Sequence, residues 1–387
     1  MKVHNITLLI SAAAFIAPLA LNAQQAKNSV PAKEADSGIK LELSKKATVK
    51  VSGYAQAQYY FADSENNSGE AYSGFAIRRA AISVKGEIDE RWSAEVGFEI
   101  DSGSGSKLDG AFVDKAIISH KNEYGKLTAG YQRPAFLMEE YSSSKTQLCI
   151  EQSVASRYFA KTKSGICQLA GRHGGVWWDG KTGDLKYTVA VTNQYKEDFN
   201  SDNNEGVAFY GSLAYVFKNS DGVETEFGVN GVYNPGNDSC DETGAFTATK
   251  APHGNVYGIE PYVKVKIDGF TGILDVIYAD GNENAGVKDA VWGMNATAAY
   301  RFETDIEPVV RFAYVDVGDN ADLGPNMLQN TPAGTTDHDN AFGVYVGTNF
   351  YANKHIKISA GYEFTKFAGG NRAEDANAFR LQLQATF

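Results

Sequence analysis

The chain ends in Asn377-Ala-Phe-Arg-Leu-Gln-Leu-Gln-Ala-Thr-Phe387, where apolar and polar side chains alternate. Phe379, Leu381 and Leu383 fall on one face of this stretch, and polar residues occupy the positions between them. Because successive side chains of a strand point to opposite sides, the pattern predicts a β-strand with one apolar and one polar face. An open strand cannot cross a bilayer, since its unpaired backbone groups would lie in hydrocarbon. The stretch therefore predicts the last strand of a closed transmembrane barrel.

The two ends of the chain predict the same compartment. A terminal aromatic residue such as Phe387 resembles the end of bacterial outer-membrane proteins, which implies that it is the signal for the barrel-assembly machinery. At the other end, Lys2 precedes an apolar run over 6–21 that is broken by Pro18 and followed by small residues. This pattern predicts a signal peptide over residues 1–23, and the alternative, a membrane anchor, needs a longer run. We therefore expect a protein of the bacterial outer membrane, surrounded by its lipid.

Residues 24–46 are polar and predict a short periplasmic lead-in, whereas residues 47–387 predict the barrel itself. Segments of period two recur throughout this region, which indicates an all-β fold: a sixteen-stranded antiparallel transmembrane β-barrel. The predicted strands are 47–61, 74–88, 91–101, 110–121, 125–133, 170–180, 184–194, 206–218, 223–234, 254–267, 270–280, 291–302, 306–317, 342–352, 355–367 and 377–387.

The connections between these segments alternate strictly between short and long. Such alternation is typical of short periplasmic turns and long extracellular loops, and a soluble β-sandwich would not explain it. A barrel of sixteen strands is wide enough to enclose a water-filled lumen. The sequence therefore predicts a pore before any motif is considered.

Composition and motifs restrict the function further. The formal net charge of −11 argues against a nucleic-acid partner. The six histidines show no metal-ligand spacing, and neither a nucleophile elbow nor a phosphate-binding loop is present, so we expect no enzyme activity, no metal and no cofactor. Three cysteines are an odd number for an exported protein; Cys149 and Cys167 share one long segment, and either a disulfide between them or a set of free thiols fits the sequence.

Several motifs in one order carry a family resemblance. They are 53–56 (GYAQ), 75–80 (FAIRRA), 114–116 (DKA), 125–134 (GKLTAGYQRP), 150–153 (IEQS), 174–176 (GGV) and 187–194 (YTVAVTNQ). This series resembles the phosphate-selective porin O and P family over roughly residues 50–195. The resemblance implies a homotrimeric channel whose third extracellular loop, here 134–169, folds into the pore as a constriction. Gln152 stands where the family more often has Arg, which departs from the pattern of strict phosphate selectivity.

Charges act over only about 8–10 Å at physiological salt, so those nearest the constriction should determine selectivity. We expect selectivity to depend on basic residues of the third loop and of the neighbouring wall, opposed by acidic residues of one strand. The basic candidates are Arg157, Lys161, Lys163, Arg79, Lys126 and Arg133. The acidic candidates are Glu95, Glu99 and Asp101.

Together these observations predict an outer-membrane porin for passive diffusion of small hydrophilic solutes, with a preference for phosphate-like anions. A second reading is a barrel plugged by its third loop, with a structural or adhesive role. A third reading, an outer-membrane hydrolase, would require a Ser–His pair, and His173 with Ser164 is the nearest sequence candidate.

Overall fold

The computed structural model describes residues 38–42, 47–65, 71–101, 111–162, 164–194, 196, 206–219, 222–236, 254–320, 322–370 and 373–387. The predicted signal peptide lies outside these residues, as do Lys163 and Cys240. Asp101 is described as part of a strand, without its side chain.

Seventeen strands, numbered here in chain order, are found in the described residues. They are β1 Ile39–Glu42, β2 Thr48–Ser64, β3 Tyr72–Glu87, β4 Trp92–Asp101, β5 Ala111–Asn122, β6 Gly125–Gln132, β7 His173–Thr182, β8 Leu185–Asn193, β9 Val207–Lys218, β10 Glu224–Asn234, β11 Val256–Ile267, β12 Phe270–Gly281, β13 Val291–Tyr300, β14 Ile306–Asp316, β15 Asn340–Tyr351, β16 Ile356–Ala368 and β17 Glu374–Thr386. Strands β2 to β17 are the sixteen that the sequence predicts, with ends that differ by a few residues.

The barrel closes through the strand that opened the sequence analysis. β17 pairs with β2 in antiparallel register, from Ala376 opposite Ser64 to Thr386 opposite Tyr54. β9 and β10 are likewise paired, so the hydrogen-bonded ladder continues around the barrel. The prediction of a closed, sixteen-stranded antiparallel barrel is confirmed.

The short strand β1 was not expected. It lies within the segment predicted as a periplasmic lead-in and pairs with β2 in antiparallel register, with Ile39 opposite Val51. β2 extends beyond the end of β17 at this point, since Phe387 is hydrogen-bonded to Gly53. β1 therefore covers backbone groups of β2 that β17 does not reach.

The two faces of the strands differ as the alternation predicts. On β17, Phe379, Leu381 and Leu383 are exposed on the outside, whereas Arg380, Gln382 and Gln384 are buried on the lumen side. Apolar side chains therefore face lipid, and polar side chains face the interior. Of the helices in the described residues, none has the length and apolar character needed to span a membrane.

The third loop, which we call loop 3, runs from 133 to 172 between β6 and β7. It contains helix α1 (Met138–Tyr141), helix α2 (Val154–Lys161) and a 3₁₀ turn at Gly165–Leu169. Helix α2 contacts β13, β14 and β15, and the 3₁₀ turn contacts β10, β11 and β12. Loop 3 therefore folds into the lumen, as the family resemblance implies.

Glycines in the barrel wall allow this close approach. A Cβ atom at Gly293 would lie 3.2 Å from both Ala155 and Phe159 of α2. A Cβ atom at Gly258 would lie 2.6 Å from the ring of Phe136 in loop 3. Since any larger side chain would enter space that the loop already fills, these two positions fix where loop 3 packs.

Candidate pore constriction

Two β-bulges place charges in the lumen that strict alternation assigns elsewhere. Between β2 and β3, Gln56 pairs with Arg79 and Ala57 pairs with Ile77, so Arg78 is the extra residue. Between β4 and β5, Gly97 pairs with Lys115 and Phe98 pairs with Val113, so Asp114 is the extra residue. A bulge bends its strand and re-aims a side chain. Neither Arg78 nor Asp114 could be placed in the lumen by period-two reasoning.

Glu151 of loop 3 lies in a nest of guanidinium groups. Arg78 binds it with two hydrogen bonds, from Nε to Oε1 at 2.6 Å and from Nη2 to Oε2 at 3.0 Å. Arg79 Nη2 and Arg157 Nη1 lie 3.5 and 3.7 Å from Oε2, and Gln58 Nε2 donates to Oε1 at 3.2 Å. Paired, hydrogen-bonded guanidiniums of this kind hold a carboxylate strongly.

The same network continues along the wall through Arg311. Arg311 donates from Nη1 to Glu139 Oε1 at 2.8 Å and to the backbone oxygen of Glu151 at 2.8 Å. Its Nη2 donates to Glu363 Oε1 at 2.9 Å, and Arg380 donates to the other oxygen of Glu363 at 2.9 Å. Loop 3 is therefore held by strand side chains through its carboxylates and its backbone.

A second loop reaches the network from the segment between β14 and β15, residues 317–339, which we call loop 7. Arg157 donates from Nε to the backbone oxygen of Met327 and from Nη2 to Gln329 Oε1 at 2.8 Å. Arg380 donates to the backbone oxygen of Gln329 at 2.7 Å. Loops 3 and 7 thus meet at the guanidinium of Arg157, which is buried.

Loop 3 lies outside the membrane-spanning strands, and the network sets the charge state of its carboxyl groups. Burial by itself would raise the pKa of Glu151, but the Arg78 and Arg79 charges and the Arg78 hydrogen bonds outweigh it and hold the pKa well below its usual range. Burial likewise opposes the Arg133 charge at Glu140, where the balance lowers the pKa to about 2. Both groups are therefore ionised at neutral pH.

A second group of charges adjoins the nest, since Arg79 Nε also lies 3.9 Å from Glu99 Oε1. Arg172 Nη2 lies 3.1 Å from Glu99 Oε2 and 2.6 Å from Asp114 Oδ1. Arg133 Nε lies 3.6 Å from Glu140 Oε1. Glu99, Asp114 and Arg133 line a cavity of about 580 Å³ between residues 141–146 of loop 3 and the wall formed by β4 to β8.

This cavity, called the wall cavity here, is mixed in charge. Its lining includes Lys115, Lys126 and Lys145 together with Asp114 and Asp179. Lys126 pairs with Asp179 at 3.2 Å, and both side chains are partly exposed. Because Lys126 and Asp179 lie beside short turns, the cavity extends from the periplasmic end of the barrel toward the constriction.

The predicted site residues divide between these places. Arg79 and Arg157 belong to the buried nest around Glu151, whereas Lys126, Arg133 and Glu99 line the wall cavity. Lys161 is exposed at the end of α2. Glu95 pairs with Lys115 at 3.3 Å. Lys163 and the side chain of Asp101 lie outside the described residues.

Sequence reasoning did not single out Arg78, Asp114 or Arg172 as lumen charges. The first two depend on bulges, and the third lies at the end of loop 3, whose path has no periodic signal. The adjacent Arg78 and Arg79 of the FAIRRA motif are the one sequence signal for such a bulge, because two adjacent residues of a regular strand cannot both face the lumen.

Of the two states that the sequence leaves open for Cys149 and Cys167, a disulfide and free thiols, the structure has free thiols. Cys149 and Cys167 are both buried thiols in the structure, and no bond joins them. Cys149 packs with Ala299, Val309 and Tyr345, on β13 to β15, whereas Cys167 lies in the 3₁₀ turn that contacts β10 to β12. Helix α2 separates the two cysteines along loop 3, so sharing one loop does not bring them together.

The structure does not support the hydrolase hypothesis at His173 and Ser164. His173 is buried, with Nδ1 2.9 Å from the backbone oxygen of Asn193 and Nε2 3.3 Å from the hydroxyl of Tyr210. Both ring nitrogens are therefore occupied by groups other than Ser164. Within the described part of the chain, no three His, Cys, Asp or Glu residues are placed to hold a metal ion.

A closed barrel with an apolar exterior and a charged loop folded into its lumen is the architecture of an outer-membrane porin. The profile of the phosphate-selective porin O and P family matches residues 49–250, more than half of the chain. The chain belongs to this family, and the protein is a channel-forming porin of the bacterial outer membrane. Comparison with curated protein sequences gave no significant match.

Solved structures show the same fold at low sequence identity. The outer membrane channel DcaP of Acinetobacter baumannii has 11% identity and a TM-score of 0.61, covering 91% of this chain and 100% of that chain. An anion-selective porin from Comamonas acidovorans has 10% identity and a TM-score of 0.59, covering 88% and 100%. OmpT of Vibrio cholerae in its trimer form has 11% identity and a TM-score of 0.54, covering 89% and 100%.

Proposed function

We propose that this porin lets small hydrophilic solutes diffuse passively across the outer membrane, with a moderate preference for anions such as phosphate. Solutes move by electrodiffusion beside loop 3, through the wall cavity. No covalent step or energy source is involved. The proposal rests on the charge balance at loop 3, and family membership supports it.

The observation that carries the anion preference is an excess of guanidinium groups. Among the described side chains of the network, Arg78, Arg79, Arg157, Arg311 and Arg380 meet four carboxylates, Glu99, Glu139, Glu151 and Glu363. Charge enclosed by low-dielectric walls is screened less than charge on an open surface. An excess of positive charge at the narrowest level therefore favours anions over cations.

The experiment is the reversal potential of the purified protein in a planar bilayer under a KCl gradient. The expected potential has the sign for chloride permeation. Lys126→Gln, in the wall cavity, should weaken the preference, whereas Lys354→Gln, at an exposed periplasmic turn, should not. A potential of the cation sign would refute the anion preference and leave the porin itself intact.

The plugged-barrel reading has one observation in its favour. Four lumen side chains donate to backbone oxygens of loop 3: Gln56 to Ser144, Gln384 to Lys145, Lys357 to Gln147 and Asn349 to Leu148. A loop fixed in this way could act as a permanent plug. Absence of any conducting steps from a folded barrel in the same bilayer experiment would support that role.

We also propose that the protein is a homotrimer. The family resemblance implies it, and the trimer form of Vibrio cholerae OmpT has the same fold. Mass measurement of the detergent complex before and after heating tests this assembly, because a trimer should dissociate to one third of its protein mass.

A further inference from the structure

The nest around Glu151 has the composition of an anion-binding site. Arg78, Arg79 and Arg157 direct guanidinium groups at one point, Gln58 adds an amide donor, and all four side chains are buried. A guanidinium fork matches the oxygens of a carboxylate or a phosphate equally well. The position at their focus is occupied by Glu151, which the chain itself supplies.

Two guanidinium N–H groups in and beside the nest have no hydrogen-bond acceptor among the described residues. Arg157 Nη1 is buried and makes no hydrogen bond to the described residues, although it lies 3.7 Å from Glu151 Oε2. Arg380 Nε, in the adjoining part of the network, is likewise buried without a hydrogen bond. A buried N–H group without an acceptor is costly, so Glu151 does not satisfy every donor of the nest.

A cavity also reaches the nest around Glu151. A second cavity, of about 210 Å³, is bordered by Glu151, Glu139 and Cys149 of loop 3 and by Lys264 and Thr271 of the opposite wall. It lies across loop 3 from the wall cavity. An ion in this cavity would be close to the nest whenever Glu151 were withdrawn.

We infer that Glu151 is a tethered counter-ion, a carboxylate on loop 3 that fills an oxyanion-sized site between Arg78, Arg79 and Arg157 and so limits how strongly the pore selects anions. The inference deepens the proposed function by naming the residue that keeps the anion preference moderate. Its carboxylate stands in for the oxygens of a small free oxyanion. Removing the charge of Glu151 should therefore leave the guanidinium groups of Arg78, Arg79 and Arg157 able to bind a small free oxyanion.

The test compares Glu151→Gln with wild type in planar bilayers. Glu151→Gln keeps the size of the side chain and removes its charge, next to guanidiniums at 2.6 to 3.7 Å. We expect the reversal potential to move toward chloride permeation. Inorganic phosphate should block the current at a concentration at least about tenfold lower than in wild type, because close charges interact strongly away from bulk water. Glu283→Gln, on an exposed 3₁₀ turn, removes the same charge elsewhere and should change neither result.

Two further variants keep the inference falsifiable if Glu151→Gln does not assemble. Arg78→Gln with Glu151→Gln removes one charge of each sign and should return the reversal potential to the wild-type value. Glu151→Asp keeps the charge but withdraws it by one methylene group, and should show an intermediate phosphate block. Wild-type phosphate sensitivity in a folded Glu151→Gln, or in Glu151→Asp if the former does not fold, would overturn the inference.

The outcomes separate this inference from the proposed function. If wild type prefers cations but Glu151→Gln shifts toward anions, the proposed anion preference is wrong and the counter-ion role stands. If wild type prefers anions and Glu151→Gln changes nothing, the proposed function stands and Glu151 is a structural residue.

Discussion

At the scale of single residues, buried charges hold loop 3 in the barrel together with an apolar cluster that includes Phe136 and Phe159. Arg311 shows this most clearly, since its side chain is buried and it binds Glu139, Glu363 and the backbone of loop 3. A buried ion pair adds little over an apolar pair, but losing one partner leaves an uncompensated charge. Removing Arg311 would leave Glu139 in that state, whereas Glu363 would keep its pair with Arg380.

We therefore expect Arg311→Gln to destabilise the folded barrel by about 3–5 kcal/mol. The matched control is Arg301→Gln, because Arg301 pairs at 2.7 Å with Asp305, whose side chain is about half exposed; an exposed pair contributes roughly 0–1 kcal/mol. Heat-induced loss of the compact band in gel electrophoresis compares the two variants. Equal melting of both variants would contradict the role assigned to Arg311.

The thiol of Cys149 provides a pH-dependent test of loop 3. Burial is the largest influence on this group and raises its pKa to about 12. Only the thiolate reacts with alkylating reagents, and a raised pKa means that the thiol form persists at pH 8. In a Cys167→Ser, Cys240→Ser background, we expect almost no alkylation of folded protein at pH 8 and full alkylation after heat denaturation. Rapid labelling of the folded protein would show that loop 3 leaves Cys149 open to solvent.

At the scale of elements, the sequence predicts the strands well and the inward loops poorly. The alternation of apolar and polar residues, as around Phe379, fixes which face of each strand from β2 to β17 points to lipid. A shift of one residue would turn every apolar side chain of that strand away from lipid. No comparable constraint acts on loop 3 or loop 7. Arg78 and Asp114 are misplaced by strict alternation because each is the extra residue of a bulge, and the separation of Cys149 from Cys167 depends on tertiary packing.

The packing of α2 against the wall can be tested at Gly293. A leucine side chain there would enter the space of Ala155 and Phe159, so we expect Gly293→Leu to displace loop 3 and to destabilise the barrel by about 1–3 kcal/mol. Gly211→Leu is the matched control, since no atom lies within 4 Å of its added Cβ and the residue is exposed. Limited proteolysis should cleave loop 3 in Gly293→Leu and spare it in Gly211→Leu. Equal protection of loop 3 in both variants would argue against this packing.

At the scale of the whole molecule, loop 3 divides the periplasmic half of the lumen into two unequal spaces. The wall cavity of about 580 Å³ lies on the side of β4 to β8, and the cavity of about 210 Å³ lies on the side of β11 to β13. Since the larger cavity offers more room beside loop 3, we propose that the conducting path runs along the wall cavity. Thr188 and Thr271 line one cavity each.

The most direct measurement of this central claim is the single-channel current of Thr188→Cys and Thr271→Cys, both in a Cys240→Ser background, before and after a cationic methanethiosulfonate reagent. We expect the reagent to lower the current of Thr188→Cys, because the modified side chain narrows the path, and to leave the current of Thr271→Cys unchanged. A fall in the current of Thr271→Cys alone, or no current in either folded variant, would contradict it.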